Sequence, residues 1–119
     1  MKKWITIGGI SGFLGVAIGA FGAHSLKSIL TPESVEVYKT GALYQLIHSV
    51  VILGIGFYGH KEYSFAGWFF TAGIVLFSFS LYLYSTTQVS SFAIVTPFGG
   101  VCFLIGWIVI VVKSFRKET

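Results

Sequence analysis

The side chains in this sequence best suited to chemistry are two histidines, His24 and His48, and the polar pair Tyr44 and Gln45, which shares a helix face with the second. An imidazole can ligate haem or a metal, handle a proton, or hold a structural hydrogen bond. Two histidines acting together need similar depth, and simple helices separate these two by about 10 Å along the helix axis. No second carboxylate, cysteine or histidine is placed to complete a site, and His60, beside Lys61 and Glu62, reads as a solvated turn. No metal and no cofactor are therefore expected. His48 is expected to be structural, bonded to Ser, Thr, Tyr or backbone on a third or fourth helix. Ser78, Ser80 and Ser85 lack a histidine and an acid at recognisable spacing, and serines in apolar helices more often bond the preceding turn. Glu33 and Glu36 lie in the first turns of a helix, where the helix dipole accounts for them. Catalysis is not expected.

The elements that must hold these residues are apolar. The 119-residue chain is 55% hydrophobic and 10% charged, with a mean hydropathy of +0.84, whereas soluble domains carry about a quarter charged residues. All its charges fall near the ends or in two connections, none within a long apolar run. The pattern is that of an integral membrane protein forming one domain over residues 1–119, with spans near 4–23, 41–58, 63–84 and 92–112. A net charge of +4 gives no nucleic-acid face, because the basic residues flank the spans. The single Cys102 excludes an intrachain disulfide and suits a small packing residue. Lys2 and Lys3 before an apolar run also fit a signal peptide, but the run is too long for one, so a retained span is expected.

Lysine and arginine set the orientation. With the N-terminus inside, Lys2, Lys3, Lys61, Lys113, Arg116 and Lys117 are inner and only Lys27 and Lys39 are outer. Both termini should face the cytoplasm across a bacterial inner membrane. Trp4, Tyr63, Trp68, Tyr82 and Tyr84 near span ends suit an interfacial aromatic belt.

Span one carries Gly8, Gly12, Gly15, Gly19 and Gly22 within a strip roughly 80° wide. Glycine weakens a helix, so such a strip points to close helix packing, and span one is expected to be the central post of the bundle. Between spans one and two, His24 to Thr40 is amphipathic. Within it Thr31-Pro32-Glu33 predicts the start of one long helix from Pro32 to about Tyr58. Span two groups Gly41, Tyr44, Gln45 and His48; span three groups Gly67, Thr71, Ser78, Tyr82 and Ser85. Span four sets Gly99 and Gly106 two turns apart, with Gly100, Phe103 and Trp107 beside them. Pro97 either kinks span four or starts it with Thr96 as cap; the kink is favoured. Lipid offers polar atoms no partner, so these strips should face inward. His24, Tyr44, Gln45, His48, Ser78, Tyr82 and Thr96 form the candidate polar cluster. The fold class is all-α, an antiparallel four-helix membrane bundle with a short amphipathic stretch between helices one and two.

GAFGAHSLK at Gly19 to Lys27 and TGALYQLIH at Thr40 to His48 open a set of motifs that LFSFSLY at Leu76 to Tyr82, TPFGG at Thr96 to Gly100 and Gly106-Trp107 complete. In this order and spacing the chain resembles the YwdK- and YgdD-like small membrane proteins, domain-of-unknown-function family 423, which has a eukaryotic relative called transmembrane protein 256. The resemblance covers nearly the whole chain and implies a four-span inner-membrane protein, with no established activity to carry over. The family pattern has glycine in FSGSLY where Phe79 stands here, so close packing is not carried over to that position.

Drug exporters of similar size couple to protons through a carboxylate within the membrane, and no span here holds Asp, Glu, Lys or Arg. The expected function is non-enzymatic, through contacts with lipid, another membrane protein or a second copy, in assembly, stabilisation or regulation. The alternative is small-ligand binding or passive conduction centred on Tyr44, Gln45 and His48, which a cavity at His48 would favour.

Overall fold

Thr31, Pro32 and Glu33 start a helix for local reasons. Thr31 Oγ1 accepts the backbone N–H of Ser34 at 3.2 Å, proline occupies the first turn, and Glu33 sits near the positive helix end. The helix runs Pro32–Tyr58 as expected and stops at Gly59, whose φ of 79° is a left-handed cap. The structure, a computed structural model, describes residues 2–116; Lys117, counted above among the inner cations, lies outside them. It holds four helices long and apolar enough to cross a membrane: α1 Lys2–Leu26, α2 Pro32–Tyr58, α3 Lys61–Thr87 and α4 Ser90–Ser114. At about 1.5 Å per residue each exceeds the roughly 30 Å of a bilayer core.

The turn between α3 and α4 is tighter than the polar stretch Thr86 to Ser91 suggests. Gln88 takes a left-handed φ of 60°, and its side-chain amide donates to the Ser85 carbonyl at 3.0 Å and to Ser34 Oγ at 2.8 Å. The second bond ties this turn to the first turn of α2. α4 starts at Ser90 and continues through Pro97, so residues 92–95 are helical rather than a buried loop.

Two helices contain a wide π turn, at Ala17–Gly22 in α1 and at Ile74–Ser78 in α3. The second pushes backbone toward α4. A Cβ on Gly99 would lie against the backbone nitrogen of Phe77 and 2.7 Å from Leu76 C. The bulge and the glycine are therefore two halves of one contact.

The five glycines of the α1 strip all face α2: Gly8 meets Leu53 and Ser49, Gly12 Ser49, Gly15 Leu46, Gly19 Ala42 and Gly22 Tyr38; Gly9, off the strip, meets nothing. Gly56 of α2 answers from the other side, its absent Cβ leaving room for the backbone of Trp4 and Ile5. α1 is nevertheless not the central post. Only 11% of its apolar window is buried, against 44% in α2, 39% in α3 and 17% in α4. The bundle measures 56 × 25 × 17 Å: α2 and α3 pair in the middle, and α1 and α4 flank them. A glycine strip records one close neighbour, and α1 has one along most of its length.

The core is Trp4, Ile52, Ile55, Ala66, Phe70, Ile74 and Phe103. Trp4 is 0% exposed and does not belong to an interfacial belt. Its ring fills the space left by Gly67, its Nε1–H donates to Ser64 Oγ at 3.3 Å, and Trp68 stands edge-on at 4.8 Å. Tyr82 likewise turns inward, to Gln45.

Candidate functional site: the polar interior

Residues three and four apart on α2 point the same way, which brings Ala42, Gln45 and Ser49 onto the face that α1 covers. Gln45 is fully buried and uses both ends of its amide. Its Nε2 donates to the Ser11 carbonyl of α1 at 2.8 Å, and its Oε1 accepts the Tyr82 hydroxyl of α3 at 2.6 Å. Ser49 Oγ bridges Ser11 Oγ at 2.7 Å and the Gln45 carbonyl at 2.6 Å. One glutamine thus joins three helices. In hydrocarbon these groups have no water to fall back on, so each bond lost leaves an unpaired polar atom.

His48 points to the other side of α2. Its Nδ1 lies 2.7 Å from the Tyr44 carbonyl, an acceptor only, so Nδ1 carries the proton. Nε2 is then the acceptor and takes the Trp107 Nε1–H of α4 at 3.1 Å. The two bonds fix one neutral tautomer. Phe103 stacks on the imidazole at 3.7 Å with 7° between planes, while Phe70 and Trp107 close in at 5.4 and 5.8 Å. The expected partner for His48 was Ser, Thr, Tyr or backbone on helix three or four; it is an indole on α4 and the backbone of α2 itself.

The predicted cluster does not form one site. Gln45 and Tyr82 join on the α1–α3 side, and His48 faces α4. Tyr44 is 38% exposed and lies on Phe77 at 4.7 Å. Thr96 Oγ1 sits 2.6 Å from Ser80 Oγ, a separate clasp between α3 and α4. Ser78 Oγ, in the π turn, is buried with no hydrogen-bond partner. His24 is exposed at the far end of α1. Thr71 bonds back to its own helix, at the Gly67 carbonyl. Among the glycines, Gly106 leaves room for the Phe70 ring and Gly73 for Phe103, whereas Gly100 has only Phe77 Cδ2 at 3.9 Å.

Sequence reasoning missed Ser11, Ser49 and Tyr38. Tyr38 donates to the Ile18 carbonyl inside the π turn of α1 at 2.8 Å. Ser49 was within reach of it, since it follows Gln45 by one helical turn. Among the described residues no three His, Cys, Asp or Glu side chains converge as metal ligands. The interior can hold helices in register; among the described residues it presents no paired acid and base.

The family model described as "Protein of unknown function (DUF423)" matches residues 18–100. The chain is 41% identical to the UPF0382 membrane protein YwdK of Bacillus subtilis, over 98% of each chain. It is 37% identical to a UPF0382 membrane protein of Staphylococcus epidermidis over 98% of each, and 36% identical to one of Haemophilus influenzae over 99% of this chain and 98% of the relative. No solved structure matches.

Proposed function

The chain belongs to the DUF423 family of multi-pass membrane proteins, and on that premise we propose that it works without catalysis, through contacts with membrane proteins or lipid that assemble, stabilise or regulate a larger membrane system. The observation that carries this reading is the occupied state of the two buried candidate groups. Gln45 and His48 spend every side-chain hydrogen-bonding atom on neighbours within the chain, and Phe103 covers the imidazole face. A ligand at either residue would have to displace an interhelical bond. The alternative of ligand binding or passive conduction needs space beside His48, and stacked rings occupy it. The charge asymmetry of the sequence supports cytoplasmic termini in an inner membrane.

The test is crosslinking in native membranes from a photoreactive residue at exposed Leu104 of α4, followed by identification of what co-purifies. A discrete membrane protein or lipid, lost when the probe is moved to buried Phe103, is the expected result. Solute flux through vesicles containing only the purified protein, abolished by Gln45→Leu, would overturn the reading.

A further inference from the structure

At the end of the bundle away from both termini, α1, the connection after it and the first turns of α2 enclose a groove of about 420 Å³. Leu30, Pro32 and Val35 supply its apolar lining, and His24, Lys27, Glu36 and Lys39 its polar lining. Its depth in the membrane follows from its neighbours. Phe21 and Ile29 are 73% and 75% exposed on the same segment, with no protein to cover them. Such side chains belong in hydrocarbon, so the groove lies where tails give way to headgroups. Its charge is surplus positive. Glu36 Oε1 lies 3.9 Å from Lys39 Nζ in an exposed pair that holds neither group firmly, and among the described residues Lys27 makes no ion pair. Lysine stems run along apolar surface and present their ammonium groups at such a boundary.

We propose that this groove seats the phosphate of an anionic phospholipid, held by Lys27 and Lys39, with the glycerol end of its tails against Leu30 and Val35. The inference deepens the contact reading above by naming a lipid as one of the contacts. The shared chemistry is a phosphate oxyanion meeting ammonium donors, and only the lipid form also uses the apolar wall.

The full-length protein in neutral detergent, titrated with phosphatidylglycerol, should show a saturable rise in melting temperature that phosphatidylcholine does not give. The double variant K27Q/K39Q, changed at exposed positions, should melt like the native protein in phosphatidylcholine but bind phosphatidylglycerol roughly tenfold more weakly. K113Q/R116Q, altered at the opposite end, should keep the full rise. Equal effects of the two lipids, or a rise unchanged in K27Q/K39Q, would overturn the proposal. An equal rise with inorganic phosphate would overturn the lipid assignment. None of these outcomes touches co-purification of a protein from Leu104, so the two readings fail separately.

Discussion

Replacing Gly99 by alanine adds one methyl group where α4 meets the π turn of α3. The new Cβ would lie 2.7 Å from Leu76 C and from Phe77 Cα, and closer still to Phe77 N. These are backbone atoms and cannot rotate away. Ordinary carbon contacts need about 3.5–4.0 Å, so relieving the two carbon contacts alone parts the helices by roughly 0.8–1.3 Å, and Phe77 N demands more. A gap of about 0.5–1 Å already forfeits a quarter to a half of each dispersion contact. The same seam holds Phe103 against Gly73, Phe70 against Gly106 and the 2.6 Å Ser80–Thr96 bond. Overpacking costs about 1–3 kcal/mol where a core can adjust; the upper half of that range is expected here. The control is the next residue. Gly100→Ala meets only Phe77 Cδ2 at 3.9 Å and gains helix propensity, so it should be neutral or slightly stabilising. Reversible unfolding in mixed micelles measures both. If Gly99→Ala fell within about 0.5 kcal/mol of Gly100→Ala, the bulge-to-glycine contact would not bear on stability.

Gln45→Leu should destabilise by about 1–2 kcal/mol, since it removes bonds to two helices and strands the Tyr82 hydroxyl. Adding Tyr82→Phe should recover part of that loss, and strict additivity in the double-mutant cycle would contradict the pairing. Trp107→Phe should cost about 0.6 kcal/mol by leaving His48 Nε2 without a donor; Soret absorbance in the purified native protein, absent from His48→Leu, would instead assign His48 to haem. Leucine should be tolerated least at Gly8, where α2 backbone is the obstacle, less badly at Gly15, where the flexible Leu46 can move, and best at exposed Val16. That order should not depend on protein concentration, because the contacts lie within one chain. Single cysteines at exposed Ser28 and Thr87, in a Cys102→Ser background, should react with an impermeant reagent outside intact cells; labelling only after lysis would reverse the orientation.

What the sequence revealed best was local chemistry. A hydroxyl, a proline and an acid in a row start α2 whatever surrounds them, and apolar length defines the four helices. What it hid depends on neighbours. The glycine strip announces that something approaches α1 closely, but a strip cannot say whether one helix or three do so. Trp4 near a helix end suits an interface until Gly67, on another helix, is known to open a slot for its ring. Trp107 was legible as a packing residue, and only the facing of α2 and α4 makes its N–H the donor to His48. Neither π turn carries a residue type that marks it. The polar strips look like one cluster in the sequence because each faces inward; in a flattened bundle inward has two directions, and Gln45 and His48 take different ones.

In the order α1, α2, α3, α4 each helix packs on its neighbours in sequence, and α4 never has to close back onto α1. A chain built this way can be laid into the membrane as it leaves the ribosome, because no helix waits in lipid for a distant partner and the loops to be closed are short. The glycine face of α1 stays uncovered only until α2 arrives, and the π turn of α3 only until Gly99 does. Cutting the connection at His60 therefore separates two hairpins, each of which keeps its own glycine seam.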